Sequence, residues 1–172
     1  NNTNIPIQSK SGDISDIDVS KNLILSKPDI IFHLAAIVSG QAEKEFDLGW
    51  DINAKGSWGL FEAIRHQGEN YCPRLVFTSS IAVFGAPFPD KIPDDFFTTP
   101  LTSYGAQKAI SELLLADYSR KKMIDGVSIR LPTICVRPGK PNLAASGFFS
   151  GIIREPLNCL LYTSPSPRDE TK

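Results

Sequence analysis

Three short apolar runs, DIIFHLAA (29–36), RLVFTSS (74–80) and GVSIRLP (126–132), alternate with longer stretches whose apolar residues recur at helical spacing. A nearly continuous apolar run suits a strand buried on both faces, and strands separated by helices pair in parallel. The alternation therefore predicts an α/β fold, a doubly wound parallel sheet with helices on both faces. Turn formers bound the runs: Pro28 and Pro73 precede the first two, Gly126 opens the third and Pro132 closes it. The segment IPIQSKSGDIS (5–15) supplies a further candidate strand at the N-terminal edge.

Helices are predicted over 15–26, 43–66 and 103–122. The first places Ile17, Leu23 and Ile24 near one face. The second carries Phe46, Trp50, Ile52, Leu60, Phe61 and Ile64 at helical spacing and stops at Gly68. The third turns Ile110, Leu113, Leu114 and Tyr118 toward the sheet and ends on Arg120, Lys121 and Lys122, where the helix dipole favours cations. Residues 81–102, with Pro87, Pro89, Pro93 and Pro100, form a long connection from the second strand to the third helix. Long loops in compact α/β units are functional or disordered, and ligands of parallel sheets bind outside the carboxyl ends of the strands. The crevice between Ser80 and the start of the third helix is thereby nominated as a site.

Its chemistry follows from TSYGAQK (102–108). Tyr104 and Lys108, four apart, share a helix face, and a nearby ammonium favours a phenolate, lowering the phenol from its usual value of about 10. A tyrosine so tuned acts as a general base toward a hydroxyl, with Ser80 orienting the reacting oxygen. The bare YxxxK pattern also fits a surface helix with a solvated lysine. The ordered set of HLAA, TSS, a long loop and SYGxxK is far more specific.

Composition narrows the partners. The 172 residues, 41% apolar, suffice for one domain with a core. A net charge of -1, from 18 Lys+Arg against 19 Asp+Glu, offers no electrostatic reason for a nucleic acid or an anionic membrane, so a small molecule is the expected ligand. Cys72, Cys135 and Cys159 are odd in number, far apart and without metal-ligand spacing, which points to the cytoplasm and to no metal site. No run approaches the roughly 18 apolar residues that span a bilayer, and NNTNIPIQ has neither region of a signal peptide. His33 in its strand and His66 near a helix end read as structural.

FHLAA (32–36), Asn53 in DINAKGS, TSSIAVFG (78–85) and SYGAQKAISE (103–112) resemble the extended short-chain dehydrogenase/reductases, the superfamily of nucleotide-sugar epimerases and dehydratases. AAIVSGQAEKEFDLGWDIN and RLPTICVRPGKPN narrow the resemblance to members that oxidise a four-carbon sugar acid with NAD. The resemblance implies Tyr104 as base, Lys108 as its partner and holder of the nicotinamide ribose, and Ser80 rather than Ser79 as the orienting serine. It also implies Asp13 and Ile14 beside the adenine, Leu34, Ala35 and Ala36 beside the adenosine ribose and phosphates, and Pro132 and Thr133 under the nicotinamide. Ser39 is expected to reach the substrate. Arg137, Lys140 and Asn142 stand where nucleotide-sugar enzymes carry a different pattern. Arginine pairs bidentately with carboxylates, so they are either anchors for a small acid or solvated loop charges. Dimerisation through helices 43–66 and 103–122 is implied by the resemblance alone. A nucleotide-sugar epimerase or dehydratase, or a non-enzymatic interaction module, are the alternative readings.

The family begins with a strand and a G-x-x-G-x-x-G turn that binds pyrophosphate at a helix N-terminus. Residues 1–158 are accordingly expected to be a partial NAD-binding Rossmann domain lacking its first strands, without NAD-dependent turnover by itself. Strand 29–36 would then form an exposed apolar edge. Residues 159–172, CLLYTSPSPRDETK, are expected to lie outside the domain. They read either as a translated sequencing adapter or as a Ser/Pro-rich disordered tail.

Overall fold

The computed structural model describes residues 7–137, 144 and 146–158. Lys140, Asn142 and residues 159–172 lie outside them. In chain order the elements are α1 (Ile17–Ile24), β1 (Ile30–His33), α2 (Ser39–Lys44), α3 (Phe46–Gly49), a π-helical turn (Trp50–Lys55), α4 (Gly56–Arg65), β2 (Arg74–Ser80), a 3-10 turn (Ile81–Val83), α5 (Ser103–Arg120), β3 (Asp125–Leu131) and α6 (Gly147–Leu157). Among the described residues the sheet is parallel, in order β1-β2-β3, with Phe77 opposite both His33 and Ser128. The expected α/β class and all three main strands are present.

One face of the sheet builds the core. Leu75 and Phe77 of β2 pack with Leu60, Phe61 and Ile64 of α4 and Leu115 of α5, all essentially buried. Phe61 meets Phe77 edge to face, with ring centroids 6.5 Å apart. On the other face Phe32, Val127 and Ile129 stay 65%, 43% and 44% exposed, so the expected cover of helices on both faces is not found among the described residues. The apolar runs that suggested strands buried on both sides are genuine; in β1 and β3 only one side is covered.

Other boundaries moved for identifiable reasons. Residues 7–15 form no strand, because a strand needs a ladder and β1 pairs with no second neighbour among the described residues. The single helix expected over 43–66 is interrupted at Glu45 (φ -116°, ψ 73°) and wound as a π-turn over Trp50–Lys55. Gly68 ends it at φ +90°, a conformation that favours glycine. α1 begins two residues later than expected and is capped by Asp16, whose carboxylate accepts from the Asp18 amide. Ile17 and Leu23 remain about two-fifths exposed, and only Ile24 of the three is buried.

In α5 the expected inward face was wrong in part. Leu113 is 67% exposed and Ile110 37%, while Gln107, Lys108, Ser111 and Leu115 are buried. The helix turns a polar stripe inward because those side chains bond to the interior: Ser111 donates to the Gln107 and Asn53 carbonyls, and Gln107 accepts from Asn53. Hydrophobic periodicity cannot locate a buried face that is polar.

Candidate active site

β2 ends in Thr78-Ser79-Ser80, and successive strand residues point to opposite faces. Ser79 is buried on the core side with no hydrogen-bond partner for its hydroxyl, whereas Ser80 opens into a cavity. Pleating thus places Ser80, and not Ser79, at the cavity. Its oxygen accepts from the Ala82 amide at 3.1 Å, which caps the 3-10 turn and fixes the rotamer.

The start of α5 is locked against that turn. Thr102 Oγ1 accepts from the Gly105 amide at 3.1 Å, a normal N-cap, and the Ser103 amide donates to Glu43 Oε2 at 3.0 Å. A carboxylate at a helix N-terminus is favoured by the dipole. Gly105 lies so close to the turn that a Cβ built on it would sit 2.1 Å from the Ala82 carbonyl oxygen. Tyr104 is carried between these contacts to the cavity that Ser80 also lines.

Asn53 ties the remaining walls together. Fully buried in the π-turn, it accepts from the Ile37 amide at 2.9 Å and donates to Gln107 Oε1 at 2.8 Å. It thereby joins the loop after β1 to α5. The family resemblance singles out Asn53, but its bond to a residue 54 positions away has no signature in sequence.

The resulting cavity, about 470 Å³, is lined by Ser39, Ser80, Tyr104, Pro132, Thr133 and Arg137, all expected site residues drawn from four separate stretches of chain. Thr102, Phe84, Phe88 and Ser146 line it as well and were missed. Thr102 was detectable as a capping residue; Ser146 lies on α6's N-cap, and nothing local marks it. Ile14 and Ala35 do not reach this cavity. They line a separate depression of about 340 Å³ with Lys10, Gly12 and Leu23. Asp13 is exposed, and its carboxylate accepts from the Ser15 amide and hydroxyl, which hold it below the usual carboxylate range. Leu34 and Ala36 are exposed at the end of β1.

The electrostatics differ from the expected pairing. Lys108 is buried, donates to the Thr78 carbonyl at 2.8 Å, and lies 5.7 Å from the centre of the Tyr104 ring. Burial lowers its ammonium to about 8. The Tyr104 phenol is raised rather than lowered: burial dominates, and the Arg137 charge and the Ser80 hydrogen bond offset it only in part. The i, i+4 spacing does place the lysine on the right face, but its head group turns to a backbone carbonyl, and Arg137 becomes the cation acting on the phenol.

His33 is buried on the core side of β1 and is not among the residues that line the cavity. It is 3% exposed, its Nε2 lies 2.9 Å from Ser57 Oγ, and burial, followed by the Lys108 charge, lowers it to about 4. Because the folded value lies below the unfolded 6.5, the unfolded chain binds a proton first as pH falls. Stability should be full above about pH 6.5 and decline by about 3 kcal/mol toward pH 4 on account of this group. Urea unfolding at about pH 7 and about pH 4.5 checks it. His33→Gln should flatten the His33 part of that dependence, and an unchanged slope would count against it.

A parallel sheet alternating with helices, whose second strand ends on Ser80 and is followed by the helix that carries Tyr104 and Lys108, is a Rossmann-type α/β arrangement. Residues 2–164 match the NAD dependent epimerase/dehydratase family, and the chain belongs to that family. It is 53% identical over 155 residues to a D-erythronate dehydrogenase of Cupriavidus necator, across 90% of this chain and 47% of that protein. It is 51% identical over 136 residues to a D-erythronate dehydrogenase of Haemophilus influenzae, across 79% and 42% respectively. A solved structure described as the nucleoside-diphosphate-sugar epimerase from Agrobacterium tumefaciens is 61% identical with a TM-score of 0.85, over 92% of this chain and 47% of that one. The fold is shared with a UDP-glucose 4-epimerase of Thermus thermophilus solved in complex with NAD, at 22% identity and a TM-score of 0.75, over 87% of this chain and 48% of that one. The chain spans about half the length of the curated relatives it matches.

Proposed function

We propose that this chain supplies the catalytic residues of an NAD-dependent dehydrogenase that oxidises the secondary alcohol of a small sugar acid, with D-erythronate as the first candidate. The observation that carries the reading is the presence of Arg137 in the same cavity as Ser80 and Tyr104, a carboxylate-pairing cation beside an acid/base pair. Ser80 orients the substrate hydroxyl, Tyr104 takes its proton and Arg137 anchors the carboxylate at the far end. NAD, when bound, accepts hydride from the carbon that bears that hydroxyl.

The residues suit an extended dinucleotide. The depression at Ile14 and Ala35 is separate from the cavity at Pro132 and Thr133, as the adenosine and nicotinamide ends require. We assign Asp13, Ile14, Leu34, Ala35 and Ala36 to the adenosine side, Pro132 and Thr133 to the nicotinamide side, and Lys108 with Tyr104 to its ribose. Ser39 is assigned to substrate, as are Lys140 and Asn142 outside the described residues. Exposed Phe46 and Leu113 on the helices expected to dimerise support a homodimer through segments 43–66 and 103–122. The unpaired, exposed Cys72 and Cys135 favour a cytoplasmic setting; among the described residues no helix is long and apolar enough to cross a membrane.

The second reading is nucleotide-sugar epimerisation, favoured by the described activity of the Agrobacterium tumefaciens relative. NAD reduction by the full-length enzyme with D-erythronate, other sugar acids and a nucleotide sugar separates the two. Arg137→Ala should reduce kcat/KM for the sugar acid by about 10- to 100-fold, the worth of a charged hydrogen bond. It should also move the alkaline rise of the rate to higher pH, since the Arg137 charge favours the phenolate. Efficient conversion of the nucleotide sugar, with sugar acids inert, would establish the second reading.

A further inference from the structure

We propose that Ser150, on the buried side of α6, is a positioning residue that holds Arg137 at the substrate cavity. The inference rests on the assignment of Arg137 to the substrate carboxylate.

Beyond β3 the chain runs through residues 132–137 without a ladder to hold it. Among the described residues, α6 and its cap anchor it. Ser150, 1% exposed, accepts from the Arg137 amide at 3.0 Å and donates to the Ile134 carbonyl at 3.1 Å. Arg154 Nη1 donates to the Arg137 carbonyl at 2.7 Å. The Arg137 guanidinium itself donates through Nη2 to Ser146 Oγ at 2.8 Å. Residues 146, 150 and 154 recur every four positions, so one stripe of α6 grips the amide, the carbonyl and the side chain of Arg137.

A serine within a helix ordinarily returns its hydroxyl to the carbonyl four residues earlier. Ser150 instead bonds across to the loop in both directions, which only a group that donates and accepts at once can do. Arg154 is oriented in turn by Glu155, whose carboxylate pairs with it at 2.5 Å in a largely buried setting. The direction in which Arg137 points is therefore set by α6, so substrate recognition at the end of β3 depends on that helix.

The test compares a sugar acid with the neutral polyol in which the carboxylate is reduced, using the full-length enzyme. Ser150→Ala should raise KM for the sugar acid about 3- to 10-fold, the loss expected for a neutral hydrogen bond, with kcat and the polyol reaction held within about twofold. Arg154→Gln should act in the same direction, and circular dichroism confirms that each variant folds. A role in folding alone would lower both reactions together and overturn the proposal. If Arg137→Ala collapses the preference for acid over polyol and Ser150→Ala does not, the positioning role fails and the carboxylate assignment stands. If Arg137→Ala leaves the preference intact, the carboxylate assignment fails and the positioning role falls with it.

Discussion

Tyr104→Phe should lower the rate of alcohol oxidation by about 10²- to 10⁴-fold in the full-length enzyme while leaving NAD binding nearly unchanged. The substitution keeps the ring and removes only the phenol oxygen of a residue that lines the cavity with Ser80. Among the described residues no other base lines the cavity, and Lys108 is buried and bonded to the Thr78 carbonyl. Single-turnover measurement of NADH formation, alongside titration of NAD binding, separates chemistry from affinity. Retained turnover would refute the assignment of Tyr104 as base.

Gly105→Ala is expected to damage the same step without touching any reacting group. The new Cβ would stand 2.1 Å from the Ala82 carbonyl oxygen and 3.0 Å from Pro100 Cβ. The obstructing atom is backbone, so no side-chain rotation relieves the clash. Either the 3-10 turn or the start of α5 must shift by roughly 1 Å, a displacement that costs about 10²-fold in rate when it separates reacting groups. Overpacking of this kind also destabilises by about 3 kcal/mol. Thermal unfolding and kcat should both fall. A variant with normal stability and activity would show that the close approach of α5 to the turn is unimportant for placing Tyr104 against Ser80.

Both predictions concern a contact between residues about twenty positions apart, which shows where reading from sequence succeeded and where it stopped. The YxxxK spacing, the serine-ending strand and the long connection sufficed to bring Ser80 and Tyr104 to one crevice, because strand pleat and helix period are local properties. The inward face of α5 was misjudged because it is polar: Gln107, Lys108 and Ser111 are buried through hydrogen bonds to other segments, and no periodicity of apolar residues reports that. The helix expected over 43–66 was continuous in pattern and broken in fact: the backbone leaves the helical region at Glu45, and a π-turn carries Asn53, which bonds to Ile37 and Gln107 of distant segments.

By itself the amino-acid sequence determined the α/β class, the three parallel strands and the membership of Tyr104 and Lys108 in one helix face. Those follow from periods of two and 3.6 residues, which each segment carries alone. Only the tertiary structure decided that Lys108 would turn to Thr78, that Arg137 would be the cation acting on Tyr104, and that α6 would grip Arg137 by its backbone. Burial and long-range hydrogen bonding set the charge and direction of a side chain, and both depend on neighbours supplied by distant parts of the chain.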